Sequence, residues 1–132
     1  MRLLITIAAL VWACTAQAGE VVTENQDGTV INESVSINGD VYNGDWYLPD
    51  GPAVGAVYLQ HGFTRGGGNY RDLGLALMAR DMLVLSINAP MSGGNEELAD
   101  QVAEALAGNP PAVPDGRALP ANWVISGHSA GG

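Results

Sequence analysis

The chain has 132 residues, 47% of them hydrophobic and only 14% charged, enough for one domain and no more. Fourteen acidic residues against five arginines and no lysine give a net charge of −9, which argues against nucleic acids and anionic membranes as partners. A single cysteine, Cys14, excludes a disulfide framework within the chain and a metal site built from cysteines.

Arg2 precedes an apolar run from Leu3 to Ala13, and Ala16-Gln17-Ala18 has the small-x-small form of a cleavage site before Gly19. The run is too short to cross a bilayer as a helix. Residues 1–18 therefore read as a signal peptide and 19–132 as a partial domain, exported to the periplasm or the medium. Val11-Trp12-Ala13-Cys14 loosely resembles a lipoprotein signal, with a lipid anchor on Cys14. Trp12 is bulky for that motif and the Ala-x-Ala site is cleaner, so the unanchored form is favoured. Cleavage after Ala18 removes Arg2 and Cys14, which takes the net charge from −9 to −10 and leaves no thiol.

Residues 20–50 read as antiparallel strands. Val21-Val22-Thr23 and Thr29-Val30-Ile31 flank a turn at Asn25 to Gly28. Val35, Ile37 and Val41 alternate with polar residues, as on a half-exposed strand. Asn38-Gly39 and Asn43-Gly44 are predicted turns, and Trp46-Tyr47-Leu48 is a strand broken by Pro49-Asp50-Gly51.

From Ala53 the pattern changes. Ala53 to Leu59 is almost continuously apolar or small, as in a strand covered on both faces. It ends at Gln60-His61-Gly62-Phe63 and a glycine-rich stretch. Asn69 is the expected cap of a helix over Tyr70 to Arg80, with Leu73 and Leu77 facing inward. Met82 to Ile87 is a second buried strand. Asn95 is the expected cap of a second helix, with Leu98, Val102, Ala105 and Leu106 as its apolar stripe and Gly108 as its end. A proline-rich connection, Asn109 to Pro120, leads to a last strand at Trp123. Strands alternating with helices imply a mostly parallel sheet with right-handed crossovers.

That last strand runs into Gly127-His128-Ser129-Ala130-Gly131-Gly132. Gly-x-Ser-x-Gly after a strand reads as a nucleophile elbow, a sharp turn that lifts a serine hydroxyl above the sheet edge. Small residues on either side of Ser129 suit the crowding of such a turn. Both Gly127–Gly131 and His61-Gly62-Phe63 fall at carboxyl ends of strands, where ligands of such sheets gather, so the two motifs should meet in space.

Through these two motifs the chain resembles the N-terminal half of an α/β-hydrolase, over roughly residues 33–132. The likeness is strongest to exported carboxylic-ester hydrolases, including chlorophyllase-like and cutinase-like branches. The resemblance implies an α/β fold, acyl transfer to Ser129 as nucleophile, a small-molecule ester as substrate, and no cofactor or metal. It assigns the oxyanion hole to the backbone N–H groups of Phe63 and Ala130, and loop and elbow geometry to His61, Gly62, Gly127, His128 and Gly131.

One departure from that family is large. Its triad runs Ser, then Asp or Glu, then His, whereas this sequence ends three residues after Ser129. The histidines present, His61 and His128, belong to the oxyanion loop and the elbow and are not the expected base. The 132 residues alone are thus expected to be an incomplete, inactive fragment. The alternative is a non-catalytic remnant, or a ligand-binding α/β domain in which the elbow is coincidental.

Other candidates reduce to ordinary roles. Gly66-Gly67-Gly68 lacks the Lys-Ser or Lys-Thr of a phosphate loop, and Arg65 beside it reads as a solvated arginine. Asp72, Asp81, Glu96, Glu97, Asp100 and Glu104 fall on helix surfaces, and Asp115 lies on the wrong side of Ser129 to be the triad acid. Trp46 and Trp123 are expected in the core or on a sheet face.

Overall fold

A computed structural model describes residues 19–61, 70–88 and 96–127. The leader, the glycine-rich stretch with Gly62, Phe63, Arg65 and Asn69, the cap residue Asn95, and His128 to Gly132 lie outside the described residues. Eight elements are seen: β1 (Glu20–Asn25), β2 (Gly28–Ile37), β3 (Asp40–Pro49), β4 (Gly55–Gln60), α1 (Arg71–Met78), β5 (Met82–Asn88), α2 (Glu96–Gly108) and β6 (Trp123–Gly127). The strands form one sheet in the order β1-β2-β3-β5-β4-β6. β1, β2, β3 and β5 pair antiparallel in turn, while β4 pairs parallel with β5 and β6.

The entry hairpins follow from their turns. Asn25 turns its side-chain oxygen onto the amides of Asp27 and Gly28, at 2.8 and 3.1 Å, so the chain reverses within two residues. At Asn38-Gly39 both residues have positive φ, 49° and 91°, the geometry of a type I′ turn between twisted strands.

Asn43-Gly44 is not a turn, contrary to its sequence. Both residues lie inside β3, with Asn43 opposite Ser34 and Gly44 opposite Glu33. The glycine answers a packing demand, because a Cβ there would stand 2.9 Å from the Val35 side chain. Asn43 joins a polar ladder across three strands: its amide donates to Asn32 at 2.8 Å, and its oxygen accepts from Asn32 and Asn88 at 3.0 Å. Asn32 also donates to Asp45 at 2.7 Å.

Strand alternation divides the core between the two sheet faces. On one face Trp46, Tyr58, Leu83, Leu85 and Ile87 pack with Leu98, Val102 and Ala105 of α2. On the other Val30, Tyr47, Val57, Leu59 and Val84 pack with Met78 of α1. The two crossovers thus lay helices on opposite faces, and the strand order reverses at β4.

Helix α1 packs Leu77 against the core as expected but not Leu73, and its ends differ from those expected. It begins after Tyr70, which makes no side-chain cap, and closes at Met78 rather than at Arg80. Leu73 is 45% exposed; the buried positions are Gly74 and Met78. The Tyr47 ring decides this. A Cβ at residue 74 would sit 2.5 Å from that ring, so only glycine lets the helix approach the sheet at this point. Asp81 lies past the helix in a turn with φ 61°, not on a helix surface.

Arg117 fastens the proline-rich connection. Its guanidinium donates to the carbonyls of Gly51 at 3.0 Å and Pro49 at 2.8 Å, and pairs with Asp115 at 2.6 Å. Burial raises the Asp115 carboxyl, but hydrogen bonds and charge from Arg117 outweigh it and leave it below its usual 3.8. The carboxylate's stabilising contribution is therefore present at neutral pH and fades only as pH falls from about that value through its lower folded one. Arg117→Ala is expected to cost about 1–2 kcal/mol, discounted for partial exposure, and Arg117→Lys to recover less than half of it. A lysine ammonium cannot span two carbonyls and a carboxylate at once. Urea unfolding midpoints of the three proteins check this.

Candidate functional site

Parallel pairing of β4 with β6 builds the site. Ala56 lies beside Trp123, Val57 beside Val124, and the register runs on until Gln60 lies beside Gly127. His61 follows Gln60 and is fully buried; Gly127 opens the elbow sequence. The strand ends carrying the two motifs are therefore neighbours, at the carboxyl edge of the sheet where ligands bind in open α/β folds. Ser129 and Ala130, two and three residues past Gly127, and Gly62 and Phe63, next after His61, lie outside the described residues, as do His128 and Gly131.

Beneath this edge is a buried polar pair that the sequence reading missed. Tyr58 and Gln60 are both fully buried, on the face covered by α2. The Tyr58 hydroxyl donates to Gln60 Oε1, and Gln60 Nε2 donates to the carbonyl of His61 at 3.3 Å. Burial pushes the Tyr58 hydroxyl well above the ordinary tyrosine range, so it stays a neutral donor. The available signal was a glutamine closing an otherwise apolar strand, two residues after a tyrosine and hence on the same face.

The sequence matches no protein-family model and no curated protein. Solved structures do match. A cold-adapted esterase from an Arctic intertidal metagenomic library aligns at a TM-score of 0.60 and 18% identity, over 83% of this chain and 54% of that one. Dienelactone hydrolase from Anabaena variabilis aligns at 0.56 and 22%, over 80% and 54%, and a lipase in its open form at 0.50 and 23%, over 76% and 36%. The fold is that of an α/β-hydrolase. The chain spans about half the length of the esterase and the dienelactone hydrolase it matches.

Within the described part of the hydrolase sheet, the remaining chemistry-bearing residues stand away from the site. Asp115 is held by Arg117 beside Pro49 and Gly51, at the amino end of β4, opposite to the edge carrying His61 and Gly127. A groove of about 630 Å³ lies at that same far end, lined by residues 50–53 and 115–120. It is open, and its one cation, Arg117, is already engaged. Among the described residues no three His, Cys, Asp or Glu side chains are grouped to hold a metal ion, and no helix is long and apolar enough to cross a membrane.

β6 forms one edge of the described sheet, with Val124 57% and Ile125 43% exposed. An apolar run that reads as buried is here open to solvent, because β4 covers one side of it and no described strand covers the other.

Proposed function

We propose that this sequence is the front half of an exported serine hydrolase that cleaves small carboxylic esters through an acyl-serine intermediate. The observation that carries the reading is the pairing of Gln60 with Gly127 in an α/β-hydrolase sheet, which sets the start of the oxyanion loop beside the start of the elbow. The open apolar edge of β6 supports it, since further strands of a complete hydrolase would pair there.

In this reading Ser129 Oγ attacks the ester carbonyl carbon while a base takes its proton. The carbonyl oxygen becomes an oxyanion held by the amides of Phe63 and Ala130. Collapse of that intermediate expels the alcohol, which takes the proton from the base, and water then releases the acid from Ser129. The acid and the base belong to chain beyond Gly132. The protein is exported with residues 1–18 removed, and the lipid anchor on Cys14 is the lesser alternative.

The test begins with the reading frame after Gly132. A frame of about 130 further residues, a common size for half such a domain, should hold an Asp or Glu and then a His. The complete chain should then hydrolyse a short nitrophenyl ester and be acylated at Ser129, as seen by mass spectrometry. The 132 residues alone should do neither. A complete chain without Ser129-dependent turnover would refute the proposal.

A further inference from the structure

We infer that Asn38 is a site of spontaneous deamidation, and that its conversion to a carboxylate unfastens the β2–β3 hairpin from α2. The inference does not depend on the esterase reading.

Asn-Gly occurs twice in the sequence, at Asn38-Gly39 and Asn43-Gly44. The dipeptide has a chemistry of its own. The backbone nitrogen of the glycine, once it has lost its proton to base, attacks the asparagine Cγ. A C–N bond closes a cyclic imide, and the side-chain nitrogen leaves as ammonia. Water then opens the ring at either carbonyl. The products are aspartate and its isomer, in which the main chain runs through the side-chain carbons. Glycine favours the attack because no Cβ hinders its nitrogen and its backbone turns freely. In an unfolded chain the two pairs have the same means to react, so a large difference between them comes from the fold.

The fold treats them differently. Asn38 and Gly39 are the exposed central residues of the type I′ turn, and the ladder closes behind them with Ile37 opposite Asp40. Such a turn leaves the N–H groups of its central residues outside the ladder. A Cβ at Gly39 would meet nothing within 4 Å, so water and base reach its nitrogen. Gly44, in contrast, stands inside β3, with Glu33 of β2 on one side and Ile87 of β5 on the other. Its N–H is held by the ladder whichever way it points. The Asn43 side chain is held as well, donating to Asn32 and accepting from Asn32 and Asn88. Attack at Asn43 requires the middle of the sheet to open first.

The consequence follows from what Asn38 holds. Its Nδ2 donates to the carbonyl of Gln101 on α2, at 3.2 Å. An ionised carboxylate has no proton to donate and meets that carbonyl as a second acceptor. It also places a negative charge two residues from Asp40. The isomer lengthens the main chain within a two-residue loop, which its turn geometry does not accommodate. Val35 and Ile37 remain buried in one cluster with Leu98 and Val102 of α2, so the tip loosens while the sheet stands.

Ageing the complete chain in mildly alkaline buffer, folded and in concentrated urea, tests the site. Peptide mass spectrometry reads conversion at each asparagine, and each folded rate is divided by the rate of the same site in urea. Folding should slow Asn43 more than Asn38 by at least about tenfold. A smaller ratio, or one in the opposite sense, would overturn the assignment.

Asn38→Asp tests the consequence. Asp-Gly suits a type I′ turn as well as Asn-Gly does, so the variant keeps the turn and removes the donor. Hydrogen exchange at the Asp40 amide, in the closing pair of the hairpin, should quicken by about tenfold, while β5 amides stay protected. Unchanged exchange at Asp40 would show that the bond to Gln101 does not fasten the tip, and would overturn that part of the inference.

Discussion

Ser129→Ala in the complete chain is expected to lower turnover of a short nitrophenyl ester by roughly 10⁴- to 10⁶-fold. The size follows from the division of labour in acyl transfer. Without the serine no covalent intermediate forms, and what remains is the help that an oxyanion hole and a binding site give to attack by water. KM should change far less than kcat, because the hydroxyl acts on the transition state rather than on ground-state binding. The burst of nitrophenol that marks acylation should vanish altogether. Steady-state and rapid-mixing assays read both effects. A variant that kept its burst would place the nucleophile elsewhere, and the elbow would be a coincidental glycine-rich turn.

Much of the architecture was legible because the relevant signals are local. The apolar runs that became β4, β5 and β6 mark strands by their own composition, and Gly108 ends α2 as read. The readings that failed depended on partners distant in the chain. Asn43-Gly44 has the composition of a turn, and only Val35, across the hairpin, makes the glycine a strand residue. Likewise Leu73 looks like the inner face of α1 until the Tyr47 ring claims the space beside Gly74.

The candidate site divides in the same way. Its two motifs stand out in the sequence, and the parallel pairing of β4 with β6 brings their strand ends together. The buried pair of Tyr58 and Gln60 did not stand out, because a buried amide is informative only once its partners are known.

The second large effect lies in the core beneath the site. Trp46→Ala is expected to destabilise the fold by about 3–5 kcal/mol, since truncation of a buried tryptophan removes its apolar area and leaves a cavity. Trp46 is fully buried, opposite Ile31 on β2 and Leu85 on β5, and shares a cluster with Tyr58. Urea unfolding measures the loss, and a change below about 1 kcal/mol would mean that the cluster does not pack as described.

Trp46→Phe should cost less, and its cost should depend on pH. The indole N–H has no partner within hydrogen-bonding geometry, so its removal leaves no hydrogen bond broken. It nevertheless lies close enough to Glu33 to favour the ionised carboxyl, opposing the larger upward pull of burial, which keeps that group above its usual 4.5. Without the indole the Glu33 carboxyl should rise further. The deficit of Trp46→Phe should therefore be greatest at neutral pH, where Glu33 is ionised, and shrink as acid protonates it in both proteins. A deficit that stayed constant from neutral pH down to about pH 4 would show that the indole packs against Glu33 without acting on its charge.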